Sequence, residues 1–552
     1  MMITAWFLAA GLSLQSAPPA RPDTPSEAPS TASAALADAY VLFLQARTLE
    51  RDGDVTGAIA AYRRAVELAL TAAAIRVDLA MLYAREGRAT EAMAEARATL
   101  QIEPGNIDAH RTLGLVQSAL IEQLVLDRRG PFVAEAVGHL ERVVAGEEDP
   151  LVELTLADLY VKSEQPAKAV TRMRAFLARR PGDLDALMVL ADAHDAAGRA
   201  SEAMAVLEEA SRTSPSSAAP RTRLAEIYER GGQWKRAAAV WGDLQHGNPR
   251  VGVYRMRHAT ALAAAGDLTG GLAELYALTR DRPQDASVWF LLSQVELRAG
   301  HPAEAEQAAI RVRAIDARDA RGLVAFAEAR AARRDYRAVV EALDARVAEA
   351  AAEDLVDGTY PRMARTLGSA LVELADRTRA VAVLEAAVAR AGADADLRFV
   401  LAAAYERDNR VDRAERTFRE VLAIDPLHAE ALNYLGFMLA DRGLKLQEAV
   451  ALVQRAVILD ASNASYKDSL GWAYFKLGRF ELARPPLEQA AAALPRTSLI
   501  QDHLGDLYAQ LRRFRDAADA WDRALSGDRQ GIDAASIARK RDRARQQAGG
   551  SD

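Results

Sequence analysis

Apolar positions in this chain keep a fixed register around a recurring small residue. Gly, Ala or Ser stands at Ala46, Ala80, Gly114, Ala157, Ala191, Ala225, Ala259, Ser293, Ala327, Gly368, Ala402, Gly436, Gly471 and Gly505. The steps between them are 34, 34, 43, 34, 34, 34, 34, 34, 41, 34, 34, 35 and 34 residues. Leu precedes the small residue in eleven of fourteen units; Gln45, His258 and Phe326 are the exceptions. Twelve residues after it Ala recurs, from Ala58 and Ala92 to Ala483 and Ala517. Ala136 and Ala449 take that role after short insertions, while Gly271 and Val339 depart from it. Four residues further on stands a mostly bulky apolar group such as Tyr62, Leu207, Trp241, Phe418, Leu487 or Trp521. Seven units then close on proline, from Pro104 to Pro495.

Two short helices per unit account for this pattern. The small residue and the later Ala let two helix backbones approach closely, and the Leu and the bulky group fill the space beside them on one helical face. Gly53, Gly87, Gly198, Gly232, Gly266, Gly300 and Gly478 suit the left-handed backbone that ends a first helix. The closing proline cannot continue a helix and separates one unit from the next. A period this regular predicts an all-α solenoid in which each unit touches mainly its neighbours. Such a stack offers a long continuous surface, and its expected job is holding other molecules.

The register resembles the tetratricopeptide repeat. The match is clearest over Asp468-Ser469-Leu470-Gly471-Trp472-Ala473-Tyr474, then Gly478-Arg479-Phe480-Glu481-Leu482-Ala483, then Leu487, Ala490 and Pro495. The resemblance covers about residues 38–529 and implies a right-handed superhelix of about fourteen helix-turn-helix repeats. The poorest fits are the first unit, the unit around Ala327, and the unit around Gly114 with its inserted Leu124–Phe132 stretch. Pro485 and Pro486 fall inside a second helix, where they predict a kink or a late start.

Composition adds little to this picture. Half the residues are hydrophobic and 6% aromatic, as a core of Ala and Leu requires, and the net charge of −7 comes from mixed signs. Nucleic acid is therefore not the expected partner. There is no cysteine, so no disulfide and no lipid-modified N-terminal cysteine is expected. Ile3–Leu14 is an apolar run shorter than the ~20 residues that span a bilayer. It reads as a signal-peptide core, with residues 1–17 the signal peptide and 18–37 a Pro/Ser/Ala-rich disordered linker. Export to the periplasm or envelope is the expectation; a cytoplasmic leader is the alternative. Membrane association is expected only through partners or this N-terminus. Residues 530–552 are expected to form a capping helix and tail, with Arg539, Lys540, Arg541, Arg543 and Arg545 exposed on it.

Subtracting the repeats leaves no room for a catalytic domain, because the insertions amount to nine, seven and one residues. The eight histidines never fall three or four residues apart, so no helical metal pair is expected. No phosphate loop and no G-x-S-x-G motif occurs. No enzyme activity, cofactor or metal is expected.

Positions −3, +1 and +4 from the small residue lie within about 60° of one another on the first helix. In tetratricopeptide proteins that stripe lines the concave groove. Here it gives three zones. One is acidic, with Asp158, Asp192, Asp195, Glu226 and Glu229, and would favour a basic segment unless it is ordinary surface charge. One is short and basic, with Arg362 and Arg365. The third is aromatic, with Phe437, Trp472 and Phe475 beside Asn433, which is available to hydrogen-bond a peptide backbone. The alternative for Trp472 is core packing between repeats. The family's Lys and Asn clamp for acidic carboxyl termini is missing as a set. Asn433–Ala524 is similar to bacterial envelope repeat proteins that help assemble complexes near the outer membrane. The expected function is a non-enzymatic scaffold for proteins or peptides. A structural spacer or self-assembling element, or a regulatory arm for an enzyme on another chain, are the alternatives.

Overall fold

Gly471 shows what the small residue does. A Cβ built on it would lie 2.4 Å from Leu487 Cγ and 3.1 Å from the Ala483 carbonyl oxygen. The first helix of that unit therefore rests directly on the backbone of the second, at the Ala that follows twelve residues later. Gly505 is closed in the same way by the Trp521 indole, and Gly436 by Val453 and the Ala449 carbonyl oxygen.

The computed structural model describes residues 31–123, 126–146, 148–349 and 358–549. Their regular elements are 29 α-helices and one 3-10 turn, Ile121–Gln123. The all-α solenoid is the fold. The chain divides into two compact units, Met1–Ala265 and Gly266–Asp552.

In the first unit six antiparallel helix pairs follow one another, from Thr31–Arg51 with Val55–Leu68 to Ala219–Arg230 with Trp234–Gly247, and Gly252–Ala264 packs on the last of them. The second unit opens with Leu268–Asp281. Seven pairs follow, from Ala286–Arg298 with Pro302–Ile315 to Ser498–Gln510 with Phe514–Ser526, and Ala534–Gly549 closes on the last. The weakly matching first, Gly114 and Ala327 units form helix pairs like the others, with Ala46, Ala58, Ala136, Ala327 and Val339 fully buried.

Outside the insertion-bearing pair, the turn inside each pair is built the same way. At Gly478 (φ 76°) the chain turns left-handed, and the Arg479 N–H donates back to the Tyr474 carbonyl at 2.9 Å. Five pairs make this turn without glycine, at Glu164, Arg334, Ala375, Asn409 and Arg512. Several helices then start on a side-chain cap, as where Asp394 accepts from the Leu397 N–H at 2.7 Å.

A recurring clasp ties neighbouring repeats together. A Tyr three residues after the small residue reaches back to a Glu on the preceding repeat's second helix, and a basic side chain covers the Tyr ring. Tyr160 donates to Glu141 at 2.7 Å under Lys168. Tyr405 donates to Glu385 at 2.5 Å under Arg413, and Tyr508 to Glu488 at 3.0 Å under Arg513. Tyr228, Glu208 and Arg236 make a looser version. Burial and the Glu partner push the Tyr160 and Tyr508 hydroxyls up to about 12.

Four expectations change. The first helix begins at Thr31, so residues 31–37 are helical and not linker; Met1–Ser30, with the expected signal peptide, lie outside the described residues. The nine-residue insertion is absorbed by the 3-10 turn and by a second helix, Leu126–Gly146, of 21 residues where most have 14. Pro485 and Pro486 neither delay nor end their helix, which runs from Phe480 to Ala493. Two backbone hydrogen bonds are forfeited there while Leu487, Ala490 and Ala491 stay buried, so packing against the first helix outweighs the loss. The closing helix seals the last repeat with Ile537 and Ala544, and its cations are not all free. Lys540 bridges Asp502 (3.1 Å) and Asp506 (2.7 Å), while Arg541 and Arg545 hold Asp522.

At the other end the Thr31–Arg51 helix leaves Leu36, Tyr40 and Leu44, spaced four apart on one face, 45%, 49% and 63% exposed. No helix among the described residues is long and apolar enough to cross a membrane.

Candidate functional site

The acidic zone lies on consecutive first helices of the first unit, and arginines neutralise it. Arg223 Nε sits 2.7 Å from Asp192, and its two other nitrogens reach Asp195 at 3.4 Å and Glu226 at 3.3 Å. Arg230 adds a second cation to Asp195. Glu229 takes Arg257 at 3.0 Å and the Trp241 indole N–H at 2.8 Å, and Asp158 pairs with Lys162 at 3.1 Å. Burial raises the Asp192 carboxyl, and Arg223 partly offsets it. An open acidic groove is thus corrected to a compensated ion network. The arginines at 223 and 257 sit two residues before the small residue, off the stripe the sequence reading followed. Stacking swings them onto it.

The basic zone is compensated too. Arg362 grips Glu328 through both carboxylate oxygens (2.8 and 2.9 Å) and also reaches Gln294 at 2.9 Å, 68 positions earlier. Arg365 pairs with Asp396 at 2.7 Å. Side chains of three successive first helices therefore meet here.

The aromatic zone combines cover and opening. Trp472 is only 8% exposed, which corrects its placement as a solvent-facing residue. Its indole stacks on Phe475 (4.9 Å, 6°) and on His503 (4.0 Å, 13°) and donates to Asp441 at 3.1 Å. Lys476 lies over the same indole and donates to the Asp441 carbonyl at 2.8 Å. Beneath sits a buried ion pair, His503 Nδ1 to Asp468 at 3.0 Å. Burial alone would lower the His503 imidazole, but Asp468, with Asp502 and Asp506 farther out, more than offsets it and raises its pKa.

Phe437 and Phe475 remain partly exposed above this layer, with Phe437 6.3 Å from the His503 ring. One turn before Phe437 on the same helix face, Asn433 holds a buried Oδ1 with no hydrogen-bond partner in the protein. Asn433 and Phe437 thus share one helix face, and Phe475 flanks Trp472 on the next first helix. Asp158, Asp192, Asp195, Glu226 and Glu229 belong to the other unit. Among the described residues no group of three His, Cys, Asp or Glu side chains is placed to hold a metal ion.

A tetratricopeptide repeat family model matches residues 32–107, 154–218, 256–320, 365–429, 404–465, 444–497 and 469–535, and a second model of the same description matches 196–250. The TPR repeat-containing protein PA4667 of Pseudomonas aeruginosa is 33% identical over 113 residues, 20% of this chain. The matched part spans 19% of that relative's length. Among solved structures, the APC/C hetero-tetramer Cut9-Hcn1 is similar with a TM-score of 0.43 and 13% identity, over 92% of this chain and 96% of that one. Yeast Tom70 is similar with a TM-score of 0.33 and 15% identity, over 92% and 96%.

Proposed function

The chain belongs to the tetratricopeptide repeat family, and on that premise we propose that it is a non-enzymatic scaffold that holds partner proteins or peptides on its stacked first helices. The reading places one contact at Asn433, Phe437 and Phe475. Its main support is the Asn433 Oδ1, a buried acceptor without a partner. Leaving such an acceptor empty costs stability; rotation of the partly exposed Asn433 side chain brings it to the surface, where a peptide N–H satisfies it. The half-covered rings beside it supply apolar area of the kind that dominates binding energy. Trp472 serves as a rigid floor, so the residues to change in a binding test are those above it.

Crosslinking in native cells followed by mass spectrometry, comparing wild type with Asn433→Ala/Phe475→Ala, tests this. A partner lost only from the variant supports the contact; an unchanged partner set with a correctly folded variant removes it. Self-association with no captured partner would favour the spacer reading. Co-purification of an active enzyme would favour a regulatory arm.

The same proposal places the protein in the exported fraction of a bacterial envelope. The Ile3–Leu14 apolar run followed by the Pro/Ser/Ala-rich stretch motivates it. Intact-mass measurement of the mature chain after fractionation decides it: an uncleaved chain in the cytoplasm excludes export.

A further inference from the structure

Two histidines far apart in the sequence meet head-on inside the insertion-bearing repeat. His110, on Ile107–Leu120, and His139, on Leu126–Gly146, place their Nδ1 atoms 2.8 Å apart. The ring centroids are 5.1 Å apart, which exceeds the nitrogen separation by about one ring diameter, so each nitrogen points straight at the other. That is the geometry of a shared proton. Two rings on one metal, each at the usual ~2.0–2.1 Å, would be wider apart and turned toward a common apex.

The outer nitrogens decide where the protons sit. His110 Nε2 faces the Pro104 carbonyl at 3.0 Å, so it carries a hydrogen and leaves His110 Nδ1 as an acceptor. His139 then donates its Nδ1–H across the pair. Its own Nε2 looks toward Glu135 at 3.7 Å. Proton counting follows. The first added proton goes to His139 Nε2, toward the Glu135 carboxylate, and leaves the central hydrogen bond intact. The second has only His110 Nδ1 to go to, and there it sets two N–H groups face to face at 2.8 Å.

We propose that His110 and His139 form an acid-released latch between the two helices of this repeat, held by one shared proton and opened when the inner acceptor is protonated. Arg97, Glu135 and Arg142 are the charged groups acting on the latch. Arg97, from the preceding repeat, holds Glu135 at 3.2 Å and so weakens its pull on His139. Arg142 opposes protonation of both rings. On the far side Asp149 is engaged by Arg111 at 3.1 Å. His110 is 3% exposed, and burial holds both imidazoles below the ordinary histidine range, with His110 lowering His139 further. The opened state therefore takes up protons first. The latch is closed above the free-histidine value of ~6.5 and weakens as pH falls below it.

Hydrogen exchange of the full-length protein, corrected for the intrinsic pH dependence, reads this directly. Between pH 7.5 and 5.0 the amides of 107–120 and 126–146 should lose protection by up to about thirty-fold, the ratio for one histidine kept unprotonated against a free one. His110→Gln keeps a hydrogen-bonding side chain but removes the inner titrating site, and it should markedly reduce the acid-dependent loss, leaving only the share of buried His139. An equal loss in His110→Gln, or none in the wild type, overturns the latch. If His110→Gln does not fold, histidine-selective NMR of the wild type takes its place. His139 should gain its proton first while His110 Nδ1 stays bare, and two independent titrations near pH 6.5 would exclude the shared proton.

Discussion

The His503 ring lies flat against Trp472, centroids 4.0 Å apart, while its Nδ1 meets the Asp468 carboxylate at 3.0 Å. His503 and Asp468 are both buried and sit on successive first helices. Asp468→Asn should cost ~3 kcal/mol or more, because it removes one partner of a buried ion pair. The folded-state pKa of His503 is raised, so the pair's contribution is complete below ~6.5 and is lost as pH rises through the folded value. Urea unfolding between pH 6 and 9 should show that alkaline loss in the wild type and not in Asp468→Asn. Parallel pH dependences would count against the ion pair.

The tyrosine clasps predict late ionisation. Tyr160 and Tyr508 should stay protonated until about pH 12, later than solvated tyrosines. Ultraviolet difference titration of wild type against Tyr160→Phe and Tyr508→Phe separates them from the rest. Tyr508→Phe should also cost ~1.5 kcal/mol through its hydrogen bond to a charged carboxylate. A change that leaves hydrogen exchange at 480–493 and 498–510 untouched would show that the clasp does not hold the repeats.

Left-handed turns without glycine are strained. Ala375 has φ 60° with no polar side chain to compensate. Ala375→Gly should stabilise the Thr359–Glu373 and Arg377–Ala391 pair by about 1 kcal/mol. Here the steric relief exceeds the entropy glycine adds to the unfolded chain. A fall in the denaturant midpoint would refute this.

Arg223 holds three carboxylates together. Arg223→Ala should raise the Asp192 carboxyl further above its burial-shifted value and cost about 1 kcal/mol, an effect reduced by the partial exposure of the arginine. Carboxyl-selective NMR titration checks the first and chemical denaturation the second. The variant also uncovers an acidic surface. Gain of binding to a lysine-rich peptide in Arg223→Ala, with none in the wild type, would show that the arginine masks it.

What was legible in the sequence follows from the range of each interaction. Gly471 and Ala483 touch within one hairpin, so their spacing announces the helix pair. Arg223 and Asp192 meet only because consecutive repeats are stacked, and a single-helix stripe could not assign that pairing. Trp472 stays open between groove and core in the sequence for the same reason: the next repeat lays His503 over it. His110 and His139 stand on different helices, so no spacing within one helix announces them, and their meeting spans the loop that carries the insertion. The clasp was findable, because the Glu precedes its Tyr by 19 residues at Tyr160 and by 20 at Tyr228, Tyr405 and Tyr508.

The contrast between the Thr31–Arg51 helix, with its row of uncovered apolar side chains, and the sealed Ala534–Gly549 helix has a directional consequence. In a stack that couples only neighbours, loosening begins at the repeat with the least cover among the described residues. The first unit should thus unravel from Leu36, Tyr40 and Leu44 inward, while the second is bolted at its far edge through Lys540. Heat, acid or a pulling partner would meet a soft leading edge in the one unit and a hard trailing edge in the other.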